Sequence, residues 1–221
     1  MHPVEVFLTK GGTYFAWIIQ GLPETIKVAI AALLFALIFG LLVALVRMAR
    51  WRLFRVPALV YVEVFRGTPA FVQLFVIYFG LPDLGYQPSP FQAGIVCLGL
   101  NGAAYLSEVY RAGIESIHKG QMEAALTLGM TPARAMRYII LPQALRSMLP
   151  PITNFAIVLL KDTALVFTVG IVEMLALSRQ LVTETLQSGV VYPMAGFIYL
   201  CMTIPMARLA ARLERAKRAW Q

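Results

Sequence analysis

The sequence predicts an all-α integral membrane protein that crosses the bilayer five times, and three observations carry that prediction. Its 221 residues are 59 % hydrophobic and only 14 % charged, with mean hydropathy +0.73, a balance too apolar for a comfortable soluble domain. Apolar runs of spanning length recur along the chain, and the period-two alternation with interspersed turns that a membrane barrel would need is absent. The net charge of +8 sits in short clusters between those runs and not on one polar surface, which argues against a nucleic-acid partner.

The first run, VAIAALLFALIFGLLVALV from Val28 to Val46, holds no charge in 19 residues and at 1.5 Å per residue spans roughly 28 Å, the depth of a hydrocarbon core. A cleavable signal is the competing reading, but the basic flank RMARWRLFR follows the run instead of preceding it. The second segment is expected from about Val56 to Phe79, the third from Phe91 to Leu106, the fourth from Ile152 to Leu175 and the fifth from Val191 to Leu209. No composition shift divides these runs, so residues 1–221 read as a single transmembrane domain with a long connection at about 110–150.

Basic residues set the orientation. Arg47, Arg50, Arg52 and Arg55 follow helix one; Arg111, Lys119, Arg134, Arg137 and Arg146 follow helix three; Arg208, Arg212, Arg215, Lys217 and Arg218 close the chain. Only Lys10, Lys27 and Arg179 fall on the other side, so the positive-inside rule predicts an outer amino terminus and a cytoplasmic carboxyl terminus.

The long connection contains EAALTLGMTPARAMRYIILPQ, Glu123 to Gln143. Met122, Ala125 and Leu126 fall at helical spacing, which predicts about two turns over Gln121 to Leu128, closed by Gly129 in a left-handed conformation. Thr131 is the expected cap and Pro132 the first-turn residue of a second helix. There Ala133, Met136 and Ile140 form an apolar face, Arg134 and Arg137 another, and Pro142 disturbs the end. From physics alone this is either an amphipathic hairpin on lipid headgroups or a docking element for a protein; small alanines beside Glu123 favour close approach by a partner.

Glu123-Ala124-Ala125, Gly129, Ile139 and Leu141-Pro142, at that spacing, closely resemble the EAA loop of bacterial ABC importer permeases. The passages VEVFRGTPAFVQLFVIYFGLP, AAYLSEVYRAGIESIHKGQMEAA and LLKDTALVFTVGIVE resemble the permeases of the polar amino acid type. The resemblance implies the type I importer core in the cytoplasmic membrane, with the segment around Glu123 as a coupling helix between helices three and four. It implies a separate ATP-binding subunit carrying ATP and Mg, a second copy of this chain or a related permease, an extracytoplasmic solute-binding protein, and a polar amino acid as cargo. This chain has no phosphate-binding GxxxxGK[ST] loop, and is read as a non-enzymatic translocating subunit that binds no cofactor. A secondary transporter or channel working without an ATPase is the alternative.

Charges inside the expected spans are candidates for the path. Glu63 and Arg66, three apart in helix two, either pair with each other or present both signs to a zwitterion; an isolated charge at mid-membrane costs about 2.5–3.5 kcal/mol on insertion scales. Gly67 and Pro69 allow a kink or a broken helix with exposed carbonyls there, which either borders a substrate path or serves packing alone. Glu108 and Arg111 share a face at the inner end of helix three and read as a structural pair. Lys161 and Asp162, about ten residues into helix four, diverge by roughly 100° and either line the path or pack between helices. Glu173, near the outer end, is a candidate contact for a partner subunit or the solute receptor.

The remaining residues point to no chemistry. His2 and His118 have no metal-ligand spacing, and no metal site is expected. Cys97 and Cys201 read as small core residues in separate helices. Gly94, Gly99, Gly102 and Ala103 fit close packing of helix three. Trp17 and Trp220 are interface markers at most.

Overall fold

The computed structural model describes residues 3–49 and 51–218, with side chains between 5 and 215. His2, Arg50 and Trp220, and the side chains of Lys217 and Arg218, lie outside the described residues. Every described element is helical: α1 (Pro3–Ile19), α2 (Leu22–Arg47), α3 (Arg52–Gly67), α4 (Ala70–Phe75), α5 (Pro90–Glu115), α6 (Lys119–Thr127), α7 (Pro132–Ala135), α8 (Leu141–Asp162), α9 (Met174–Thr185) and α10 (Ser188–Arg218).

Proline explains much of the punctuation. Pro23, Pro90 and Pro132 sit at the first turns of α2, α5 and α7, where a missing N–H costs nothing. Two π turns, Val76–Gly80 after α4 and Met136–Ile140 after α7, stand immediately before a Leu-Pro pair, Leu81-Pro82 and Leu141-Pro142. A proline ring crowds the carbonyl four residues back, and a widened turn relieves that crowding without ending the helix. Pro142 was expected to disturb the end of a short helix; instead the chain stays helical from Pro132 through α8 and a 3-10 turn to Val169.

α5 is the centre of the bundle, and its small residues let two neighbours approach. Along α2, Phe35 lies at Gly99, Ala36 at Gly102, Gly40 at Ala103 and Arg47 at Ser107, so the two helices run parallel. Along α8 and the 3-10 turn Thr163–Val169 that continues it, Met148 lies at Gly113, Phe155 at Gly102 and Val166 at Gly94, so α8 runs antiparallel to both. A Cβ at Gly99 would come within 2.4 Å of Phe35, and one at Gly102 within 2.6 Å of Phe155, so only glycine permits these spacings. A second cluster joins Tyr14 and Ile18 of α1 to Met174 and Leu181 of α9 and to Val190, Val191 and Ile198 of α10. Outward-facing Ile30, Leu34, Ile38 and Leu45 of α2 remain exposed, as suits a helix whose solvent is lipid.

Three helical stretches are long and apolar enough to cross a membrane: Glu5–Arg47, Pro132–Val169 and Ser188–Arg215. The pair Arg52–Gly67 and Ala70–Leu84, bent by 108°, makes a fourth if it counts as one span. The expected third span, now α5, is not in that set, because a helix enclosed by α2 and α8 needs small and polar residues more than a lipid-facing apolar surface. The other expected segments fall on α2, on α3–α4 and the π turn after it, on α8 and the 3-10 turn after it as far as the start of α9, and on α10, with three differences. α1 precedes the expected first span; of the kink or break expected at Gly67–Pro69 the structure shows the break; and the fourth begins at the connection and ends at Gly170, whose φ is +97°.

Candidate functional site

The first candidate surface is α6. His118 caps its start, Nδ1 accepting from Gly120 N at 3.1 Å, which gives that histidine a structural task. Its end is a Schellman closure: Met130 N donates to Ala125 O at 3.1 Å, Gly129 N to Leu126 O at 2.9 Å, and Gly129 has φ +81°. Ala125 is buried and α6 packs on the π turn Met136–Ile140, while Glu123, Ala124, Leu126 and Leu128 are exposed. The expected face of Met122, Ala125 and Leu126 is therefore only partly right, since Leu126 points outward. Thr131 caps α7 by accepting from Arg134 N, and Ala135, not Ala133, takes the buried position beside Ile140. Ile139 is half-buried; Leu141 and Pro142 are exposed on the first turn of α8.

The second candidate region is where α3 breaks. Thr68 and Pro69 are extended, with ψ of 147° and 136°, so the carbonyls at the end of α3 lose their helical donors. Side chains replace them. Gln73 Nε2 donates to Phe65 O at 2.9 Å and to Thr68 O at 3.0 Å, and Asn101 Nδ2 donates to Phe65 O at 3.0 Å and to Gln73 Oε1 at 3.1 Å. Cys97 Sγ reaches Ala70 O at 3.3 Å, and Tyr61 donates to Leu100 O. The break is thus fastened to the middle of α5, while Gly67, Thr68 and Pro69 stay exposed.

Beside it lies a cluster of ionised groups. Glu108 Oε1 accepts from Arg47 Nη2 at 2.6 Å, and Glu108 Oε2 accepts from Arg111 Nε at 3.1 Å and Nη2 at 2.8 Å. Arg47, itself buried, also donates to Ser107 Oγ at 3.2 Å, and Arg111 bonds Glu115 as well. Arg66 comes only to 3.7 Å of Glu108 Oε1. The expected Glu63–Arg66 pair does not form among the described residues: Glu63 is exposed, and the longer reach of Arg66 takes it across to α5. The Glu108–Arg111 pair forms, within a larger network that ties α2, α3 and α5. A cavity of about 410 Å³ opens there, lined by Arg66, Tyr105, Glu108, Ser116, Ser147 and Pro151. A larger cleft of about 810 Å³ between α1 and α10, lined by Phe7, Leu8, Phe15, Met194 and Phe197, is apolar and offers nothing to hold a polar solute.

Lys161 and Asp162 are not drawn into either region. They end the α-helical part of α8, Lys161 exposed and Asp162 half-buried, between the levels at which Phe155 meets Gly102 and Val166 meets Gly94. They form no ion pair with each other among the described residues, in keeping with their divergent directions. Glu173 is a correction. It is fully buried and caps α9, its carboxylate accepting from Leu175 N at 2.9 Å, Ala176 N at 2.8 Å and Tyr199 Oη at 3.0 Å, so no receptor or subunit can reach it. Cys97 is a core residue as expected; Cys201 is exposed and is not.

Sequence reasoning missed Gln73, Asn101, Arg47, Tyr105, Ser116 and Ser147. A signal existed for two of them: Gln73 and Asn101 are amides in otherwise apolar runs, and buried amides need partners. Arg47 was counted only as a loop charge.

Residues 36–219 match the family described as the binding-protein-dependent transport system inner membrane component. The chain belongs to that family. It is therefore a multi-pass inner-membrane transport permease, and membership implies an ATP-binding subunit and a substrate-binding protein as partners. The probable amino-acid permease protein YxeN of Bacillus subtilis (strain 168) is 42 % identical over 205 residues, 91 % of this chain and 92 % of YxeN. The glutamine transport system permease protein GlnP of Escherichia coli (strain K12) is 36 % identical over 202 residues, 90 % of this chain and 91 % of GlnP. Among solved structures, an amino acid ABC transporter crystallised with histidines superposes with TM-score 0.89 at 37 % identity, covering 94 % of this chain and 97 % of its own. The MetNI methionine ABC transporter, at 23 % identity and TM-score 0.74 over 91 % of this chain and 96 % of its own, shares the fold.

Proposed function

We propose that this chain is the translocating subunit of an ATP-driven importer for a polar amino acid, acting as one transmembrane domain coupled to its ATPase through α6. The cargo follows from its relatives, among them the arginine permease ArtQ of Bacillus subtilis (strain 168) and GlnP, both named for amino acids. In this reading the bilayer is crossed by α2, the bent α3–α4 pair, α5, α8 and α10, with the amino terminus outside and the carboxyl terminus in the cytoplasm. ATP and Mg are held by the partner ATPase. A second permease, identical or related, completes the path, which Glu63 and Arg66 border beside the break at Gly67–Pro69 and Lys161 and Asp162 border at a different level, at the end of α8.

The observation that carries the proposal is the shape of α6. It is nine residues long, too short to hold itself, and is fixed at both ends by caps and underneath by Ala125; its other face presents Glu123, Ala124, Leu126 and Leu128, all exposed among the described residues. A Cβ at Gly129 would have open space around it in the isolated chain, so a partner in close contact, and not packing within this chain, would feel a new side chain there. Gly129→Asp is expected to insert at normal abundance, because the strain of a left-handed residue is only about 1–2 kcal/mol. It should lose co-purification with the ATPase and solute-stimulated ATP hydrolysis in proteoliposomes. Full retention of both would remove α6 from the docking role.

A further inference from the structure

We infer that the cavity between α3, α5 and α8 is a carboxylate-binding station on the solute's route, with Arg66 as the group that receives the carboxylate. The inference rests on the import reading above and adds to it a place and a recognising group.

α5 buries three of its sides and exposes one. Asn101, Tyr105, Glu108 and Ala112 follow one another at spacings of four, three and four, and Ser116 caps the helix one turn further on. They form a single stripe, half-buried or exposed, on a helix whose other faces are closed by Phe35, Met148 and Phe155. The stripe runs from the fastened break at Phe65 to the residue two positions before the cap of α6. Arg66 stands on one wall of it, and Ser147 and Pro151 of α8 on the other. Polar groups on the central helix of a membrane bundle are costly unless they are paired or face water or solute; Asn101 is paired at the break, and Tyr105, Glu108 and Ser116 line the cavity.

Within that line Arg66 is the group with unused capacity. Glu108 is saturated by closer arginines, Arg47 on one oxygen and Arg111 on the other. Arg66 lies beyond hydrogen-bond distance, at 3.7 Å; its side chain is half exposed, and its donors make no hydrogen bond among the described residues. A guanidinium presents a planar fork that fits a carboxylate in two parallel bonds. The ion-pair network that borders the cavity sets Arg47, Arg66 and Arg111 against Glu108 and Glu115, an excess of one positive charge that a carboxylate at Arg66 would balance. The hydroxyl pair Ser116 and Ser147, Oγ to Oγ 3.3 Å, lines the same cavity. About 410 Å³ lies within the range of small-ligand sites.

The test reads occupancy of the cavity and needs neither uptake nor ATP. In a Cys201→Ser background, which removes the exposed native thiol, Ser116→Cys is introduced and the assembled complex in nanodiscs is treated with a small thiol reagent. L-glutamine and L-arginine are the probes, each compared with its α-carboxamide. The expected result is that at least one amino acid slows the reaction at position 116 several-fold, that its carboxamide does not, and that Arg66→Gln abolishes the protection while Arg66→Lys keeps part of it. Equal protection by acid and carboxamide, unchanged protection in Arg66→Gln, or no protection by either probe would overturn the proposal. So would failure of Arg66→Gln to assemble with its ATPase, which would assign Arg66 to holding the helices together. Failure of the import reading is a different result: absence of receptor-stimulated uptake by the unsubstituted complex.

Discussion

At the scale of single residues, burial decides between structural and functional readings that spacing leaves open. Glu173 has the chemistry of a binding residue, yet its two oxygens are spent on Leu175 N, Ala176 N and Tyr199 Oη, and it is wholly enclosed. Glu173→Ala is expected to lower the thermal midpoint of the purified complex by removing a cap worth about 1 kcal/mol and orphaning a buried hydroxyl at a cost of roughly 1–3 kcal/mol. Glu173→Gln keeps one acceptor oxygen and should lose less, and Tyr199→Phe should cancel part of the alanine variant's loss, because it removes the group left unpaired. Differential scanning of the four chains checks this; equal midpoints in all would show that the cap contributes nothing. Arg66 and Glu63 carry the opposite lesson. Spacing made them partners, but an arginine reaches several ångströms from its backbone, and the charge that meets it is on another helix.

At the scale of elements, the break between α3 and α4 has a cost that the fold offsets with two amides. Phe65 O receives both Gln73 and Asn101, and those two side chains bond each other, so the three groups form one coupled unit. Gln73→Leu and Asn101→Leu should each destabilise the complex, and the double variant should lose less than the sum of the two. The expected interaction energy is about 0.5–3 kcal/mol, measured as shifts in thermal midpoint. Strict additivity would mean that the carbonyls find other donors. The bent pair was legible in part: Gly67 and Pro69 announce a weak point, but a break of 108° depends on donors supplied from α5, and no local pattern contains them. The Schellman end of α6 was fully legible, because Gly129 and the apolar spacing before it are local. The π turns were not: a proline reads as a helix breaker, and only the packed helix reveals that a widened turn can absorb it. The polar cavity lay beyond reach for the same reason as the break, since Arg66, Glu108, Ser116 and Ser147 come from three helices and meet only through tertiary packing.

At the scale of the molecule, everything turns on whether α5 crosses the membrane. It fails the apolarity that identifies the other spans, yet it lies parallel to α2 and antiparallel to α8, matched along much of its length, so we expect it to cross with them. Its 26 residues at 1.5 Å each reach roughly 39 Å, more than a hydrocarbon core. The connection before α5 and the one after it must then lie on opposite sides. Leu84, at the end of the turn after α4, is 82 % exposed, and Leu128, at the end of α6, is 84 % exposed, so both positions report without hindrance. In the Cys201→Ser background, Leu84→Cys should react with an impermeant maleimide in intact cells, as should Ser188→Cys at the start of α10. Leu128→Cys should react only after the membrane is opened, since the positive-inside rule puts α6, among the basic clusters, in the cytoplasm. Labelling of Leu84→Cys and Leu128→Cys from the same side would mean that α5 does not span. The chain would then have an even number of crossings, and α6 would face away from any cytoplasmic ATPase if that side were the outer one. Opposite labelling fixes the direction of every helix at once, because α2, α5 and α10 must then run inward and the α3–α4 pair and α8 outward.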